Sequence, residues 1–216
     1  MGDFDLVTLV VIAVNIIFSY KGFNDQSFFE KYKFNSAAVK RGEKIRVLTS
    51  GFLHVDTAHL FLNMLTLFFF ADVVIGSLGS VSFLLIYLAS LLLGNLLSYY
   101  FHKDEYQYNA VGASGAVSGI IYAAILLYPD MSLYMFFIPI PIPAYVFGIG
   151  YMLYSIYGMK NRIGNIGHDA HFGGAVGGYI LTLLLVPQLF VTSLFMVILL
   201  AIPIVLLFFL QKSGKF

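Results

Sequence analysis

Gly112-Ala113-Ser114-Gly115-Ala116-Val117-Ser118-Gly119 opens an apolar segment that runs to Tyr128. A serine flanked by glycines at the mouth of a membrane helix is a specific arrangement. Gly112 lets the backbone turn sharply. Ser114 sits where the first helical N–H groups lack partners, and such groups can hold an oxyanion beside a hydroxyl. The plainer reading is a helix–helix contact, because Gly115, Gly119 and Ala123 form one small-residue stripe. Two further motifs decide between these readings.

Working outward, composition places the whole chain in a bilayer. The sequence has 216 residues, of which 60% are hydrophobic and 11% charged, where a water-soluble domain carries about 25% charged residues. Mean hydropathy is +0.88. Tryptophan is absent, which leaves tyrosine as the interfacial anchor. A net charge of +1 and the lack of a basic arm give no footing for nucleic acid. There is no cysteine, so thiol and disulfide chemistry are excluded.

The sequence predicts seven spans. Phe4 to Tyr20 is the first; Asp3 and Asp5 precede it in place of basic residues, so it reads as a retained anchor and not a signal peptide. Lys21 to Thr57 is a long connection whose mix of charge and aromatics predicts short amphipathic pieces at the interface. Ala58 to Ile75 and Ser80 to Phe101 form an antiparallel pair across Gly76–Gly79, and Gly112 to Tyr128 is the fourth span. Phe136 to Ala144 carries alternating prolines and predicts an extended approach to a fifth span, Ala144 to Tyr157. His168 to Val186 is the sixth, and Leu189 to Leu210 a seventh, with a kink expected at Pro203. The expected organisation is a six-helix core over 1–187, with the interfacial first loop at 21–57, followed by an additional C-terminal helix and tail over 188–216.

Because helices alternate direction, the starts of spans two, four and six share one membrane face. His59 with Asn63, Ser114, and His168 with His171 all lie at those starts. Polar groups inside a membrane are expensive and are functional candidates by default. His59 and Asn63 are i and i+4, on one helix face; they read either as interhelical hydrogen bonding or as donors aimed at a developing negative charge. Gly174 and Gly178 continue from His171 as a second small-residue stripe. Close packing of the two stripes brings Ser114 toward His171, and a serine becomes a nucleophile when a histidine takes its proton. Asp169 points to another side of its helix and Asp72 lies far down span two; Asp56, Asp104 and Glu105 are in loops, and spacing does not exclude them. A Ser–His dyad is favoured over a triad. The competing metal reading, His168-x-x-His171, lacks a clear third ligand and any H-E-x-x-H motif.

With these motifs assembled, the chain resembles the rhomboid intramembrane serine proteases. The matching pieces are Leu48-Thr49-Ser50-Gly51-Phe52-Leu53-His54, His59-Leu60-Phe61-Leu62-Asn63-Met64, Gly112-Ala113-Ser114-Gly115 and His168-Asp169-Ala170-His171-Phe172-Gly173-Gly174. The resemblance implies an all-α polytopic membrane protein, a rhomboid-like six-helix bundle plus one C-terminal transmembrane helix. It implies Ser114 as nucleophile, His171 as general base, and His59, Asn63 and the Ser114 N–H as an oxyanion hole shaped by Gly112. It implies Gly115, Gly119, Gly174 and Gly178 as packing positions and no cofactor or metal. The implied substrates are transmembrane proteins in the lipid bilayer of the plasma (inner) membrane, cut from the extracytoplasmic side. An inactive scaffold that holds membrane clients is the alternative; such relatives typically lack the serine or histidine that this chain retains.

Two departures stand out. Ile45 precedes Arg46 where the family often has tryptophan. Ser118 stands one turn after Ser114 where the family usually has an aromatic residue beside the histidine, so the expectation is a His171 held less firmly or by another ring, such as Tyr122. All 12 Lys and Arg residues fall on the side of the Ser114 mouth, which the positive-inside rule reads as cytoplasmic, against the resemblance.

Overall fold

The computed structural model describes residues 5–135, 138–164 and 166–214. Phe4, Phe136, Asn165 and Lys215, which bear on the expected spans and loops, lie outside them.

The chain is an all-α polytopic membrane protein. Helix α1 spans Leu6–Asn24, with Asp5 as N-cap accepting from the Val7 N–H. Ser80 also donates to Asp5, at 2.7 Å, and these bonds hold its carboxyl below the usual range. The first loop then folds into α2 (Gln26–Tyr32), strand β1 (Phe34–Asn35), α3 (Ser36–Lys40), α4 (Arg46–Thr49) and a 3-10 turn, Ser50–Phe52. Helix α5 runs Thr57–His102 as two limbs meeting at Gly79, whose φ of 78° and ψ of 164° break the helix. The expected four-residue turn is thus a one-residue corner that glycine tolerates. After strand β2 (Asn109–Ala110) come α6 (Ser114–Leu127), a hairpin of β3 (Ser132–Met135) with β4 (Ile138–Pro143), and α7 (Ala144–Asn161). Helix α8 is His168–Leu185, α9 is Leu189–Thr192 and α10 is Leu194–Lys212.

Among the described residues, α1, α5 and α10 are long and apolar enough to cross a membrane, and α6 is a shorter apolar helix. Helix α6 is buried on every side from Gly115 to Leu126, as a helix apolar all round must be when it forms a core. Helices α5, α7 and α8 pack around it. At 14 residues it is about 21 Å long, against ~30 Å of hydrocarbon, so it cannot reach both interfaces.

Three expectations change. The proline stretch is extended but not solitary, since β4 pairs with β3 in antiparallel register, Leu133 opposite Ile142. Prolines at alternate positions put their missing donors on one strand edge and leave the other edge free to pair. The last span breaks at Ser193, between α9 and α10, and its helix continues through Pro203. The fifth span runs on to Asn161, ending where Arg162 adopts a left-handed conformation.

The first loop is a folded unit with its own small core. Phe34, Val39 and Val47 are buried against Tyr99, Tyr108 and Ala110. Arg46 ties it together, donating to the carbonyls of Glu30 and Lys33 and to the Glu43 carboxylate. Strand β1 pairs with β2, Phe34 opposite Ala110, which lays this unit against the approach to Ser114. Asn95 of α5 donates to the Val47 carbonyl at 2.7 Å and to Ser50 Oγ at 3.1 Å.

Candidate active site

Ser114 is the first residue of α6, and its own N–H therefore has no helical carbonyl four residues back. The loop before it is irregular backbone buried in protein, where every N–H needs a partner. Gly112 N–H donates to the Ser50 carbonyl at 3.0 Å. Ala113 N–H donates to His54 Nε2 at 3.3 Å. Because that nitrogen accepts, the His54 proton is on Nδ1, which donates to Ser19 Oγ at 2.8 Å; Ser19 in turn donates to the Phe52 carbonyl. Burial, with a smaller push from His59, holds the His54 imidazole at about 3, so the neutral ring is the stable one.

Gly112 has φ +130°, a region L side chains avoid. A Cβ there would stand 2.8 Å from His59 Cε1 and 2.9 Å from His59 Nε2. The glycine thus admits the His59 ring beside the serine loop. Asp56 caps α5 by accepting the His59 N–H at 2.7 Å, which sets that ring on the first helical turn. The buried Asn63 donates one amide N–H to the His59 carbonyl at 3.0 Å; an amide has a second N–H, and this one makes no further hydrogen bond among the described residues.

The helix carrying His171 packs against α6 through backbone. A Cβ on Gly174 would run into the Gly115 carbonyl, and one on Gly178 into that of Gly119. A Cβ on Gly115 would sit 3.0 Å from the Ala170 carbonyl. With the helices this close, His171 Nε2 lies 2.6 Å from Ser114 Oγ. For Nε2 to accept the serine proton, the ring carries its own on Nδ1. That Nδ1 is buried and has no hydrogen-bond partner among the described residues.

Among the described residues, no carboxylate reaches His171. Asp169 is buried and accepts from Tyr108 Oη at 3.3 Å, with His102 Nε2 at 3.6 Å; burial, then the charge of Asp169, pushes the Tyr108 phenol up. Asp104 pairs with Lys40, and Glu105 with His102 and Arg162. This polar cluster borders a cavity of about 390 Å³ behind the first turn of α8, which neither Ser114 nor His171 lines. His168 turns away from His171: its Nε2 lies 3.2 Å from the Ile163 carbonyl, and the two rings are 6.4 Å apart at 77°. No group of three or more His, Asp or Glu able to hold a metal occurs among the described residues.

The ring against His171 is not Tyr122. That side chain donates to the Gly148 carbonyl at 2.8 Å and knits α6 to α7. Tyr151 of α7 stacks on His171 instead, centroids 5.6 Å apart and planes 26° apart. Its hydroxyl lies 3.1 Å from Ser118 Oγ. Sequence reasoning missed it because no local pattern fixes the rotation of α7 about its axis; the serine at 118 was the one available signal.

The Rhomboid domain description matches residues 41–188. "RHOMBOID-like protein 12, mitochondrial" from Arabidopsis thaliana is 30% identical over 191 residues, 81% of this chain and 56% of that protein. "Rhomboid protease GluP" from Bacillus subtilis is 34% identical over 146 residues, 67% of this chain and 26% of that protein. "Putative rhomboid protease YdcA", also from Bacillus subtilis, is 31% identical over 152 residues, 69% of this chain and 71% of its own length. The chain spans about half the length, or less, of the first two. The matched region holds His59, Asn63, Gly112, Ser114 and His171 and takes in more than half of the sequence; the chain belongs to the rhomboid family.

Proposed function

We propose that this protein is an intramembrane serine endopeptidase that hydrolyses peptide bonds in or near transmembrane segments of other proteins. The observation that carries this reading is the 2.6 Å contact between Ser114 Oγ and His171 Nε2. An unwound stretch of a substrate helix presents its carbonyl to Ser114. His171 takes the hydroxyl proton as the C–O bond forms, and returns it to the leaving amine as the C–N bond breaks. Water, deprotonated by the same ring, then attacks the acyl-enzyme, and the proton passes back to Ser114. The reaction so written uses only groups of this chain and water.

The negative charge on the substrate oxygen faces the Ser114 N–H, the free N–H of Asn63 and the His59 ring, with Gly112 giving the ring its room. Such donors lower the barrier because they are fixed before charge develops. A client-holding scaffold needs neither a serine–histidine contact nor an uncapped N–H beside it.

The protein is membrane-integral. The Arabidopsis relative, named as mitochondrial, lends no support to the plasma (inner) membrane expected from sequence, so only the side of opening is kept here: the serine mouth faces the extracytoplasmic side. Reporter fusions in the first loop and after Lys212 should both read extracytoplasmic; a cytoplasmic reading at both would reverse the orientation. For the chemistry, purified protein in liposomes should cleave a single-span test substrate, and Ser114→Ala and His171→Ala should each lower the rate by at least ~1,000-fold. Cleavage by Ser114→Ala at the wild-type rate would remove the serine from the mechanism.

A further inference from the structure

Among the described residues, Ser114 is the one hydrogen-bond partner of the His171 ring. Its Nδ1 has no partner among the described residues, and the imidazole torsion is broad. A histidine held only by the group it must deprotonate drifts off line once that group reacts. Tyr151 is the element that can prevent this. Its ring stacks on His171 at 5.6 Å. Phe147, one turn earlier on α7, lies parallel to Tyr151 at 6.0 Å and 6°, so the tyrosine is itself braced.

The hydroxyl end is fixed too, and the direction of its bond can be assigned. Ser118 has one proton and gives it to the Ser114 carbonyl at 2.7 Å. Ser118 Oγ must therefore accept from Tyr151 Oη, 3.1 Å away. A chain of two hydrogen bonds runs from Tyr151 through Ser118 to the backbone of the very residue that His171 serves. Ser118 is 2% exposed, and a larger side chain there would displace the Tyr151 hydroxyl.

We propose that Tyr151 is the positioning residue for His171, with Ser118 as its anchor, so that the line-up of the Ser–His pair depends on the seat of α7 against α6 and α8. This rests on the proteolysis reading for its effect on rate, but the ring contact can be tested without it.

The test uses Tyr151→Leu, Tyr151→Phe and Ser118→Ala in the full-length protein. On a single-span test substrate, Tyr151→Leu should lower kcat by about tenfold, the scale of one aromatic stack, with KM and the melting temperature near wild type. The second-order rate of fluorophosphonate labelling at Ser114 should fall in parallel. Tyr151→Phe and Ser118→Ala keep the ring and lose only the anchor, and each should stay within about threefold of wild type. Wild-type kcat and labelling in Tyr151→Leu would overturn the proposal. So would losses in Tyr151→Leu that track a fall in melting temperature and are equalled by Phe147→Leu. Histidine-selective NMR separates this claim from the proteolysis reading. The stacked ring should shift the His171 ring protons upfield in wild type, and Tyr151→Leu should abolish that shift. If cleavage and labelling are absent in wild type while the shift is present, proteolysis fails and the positioning contact stands; if the shift is absent, the positioning proposal fails.

Discussion

His54 accepts the Ala113 N–H through Nε2 and gives its own proton to Ser19, so the ring holds the serine loop only while neutral. Its folded-state value of about 3 lies below the ordinary 6.5. The unfolded chain therefore binds a proton that the folded chain excludes, and stability is complete above about pH 6.5 and falls as the pH drops toward 3. The slope from this one group is about 1.4 kcal/mol per pH unit. Thermal midpoints in detergent should fall between pH 6 and 4, and His54→Ala should start lower at neutral pH, with a flatter fall. An equal fall in wild type and variant would assign the effect elsewhere. The pairing of Ser19 with His54 was not legible in the sequence, because it joins two residues far apart, one on α1 and one in the loop before α5, with no local mark of it. Ser114, His59 and Gly112 were legible, because glycine and polar residues at the ends of apolar helices are costly and stand out against their surroundings.

Between elements, the contact of α6 with α8 is made by backbone, and this determines how near Ser114 comes to His171. A Cβ at Gly178 meets the Gly119 carbonyl, which cannot swing aside as a side chain can. Gly178→Val should cost on the order of 3 kcal/mol or more and slow cleavage, although residue 178 lies about two turns past His171 on α8; the thermal midpoint and the labelling rate at Ser114 measure both. An unaltered midpoint would show that the helices have room to part. The helices were legible as elements because apolar runs, glycine stripes and prolines are local signals. Their rotations and pairings were less so. Tyr122 and Tyr151 are both tyrosines on apolar helices, and only the packing of α7 decides which meets His171. The partner of the proline strand is likewise a matter of pairing across a turn. The break at Ser193 falls where the sequence offers only a serine, while Pro203 sits in a helix that continues through it.

At the scale of the whole molecule, a 14-residue helix, buried among longer ones and too short to reach both interfaces, carries the hydroxyl and α8 the imidazole, with a folded first loop against the approach to the serine. The first-loop unit, the α5 corner at Gly79 and the glycine seam bring three helix starts to one spot, which none does alone. The claim on which this account depends is that the spot makes Ser114 a nucleophile. Fluorophosphonate labelling of the purified protein, with the adduct mapped by mass spectrometry, measures that directly. Wild type should give a single adduct on Ser114, and His171→Ala should react at least ~100-fold more slowly. No adduct in folded wild-type protein, or an equal rate without His171, would contradict it.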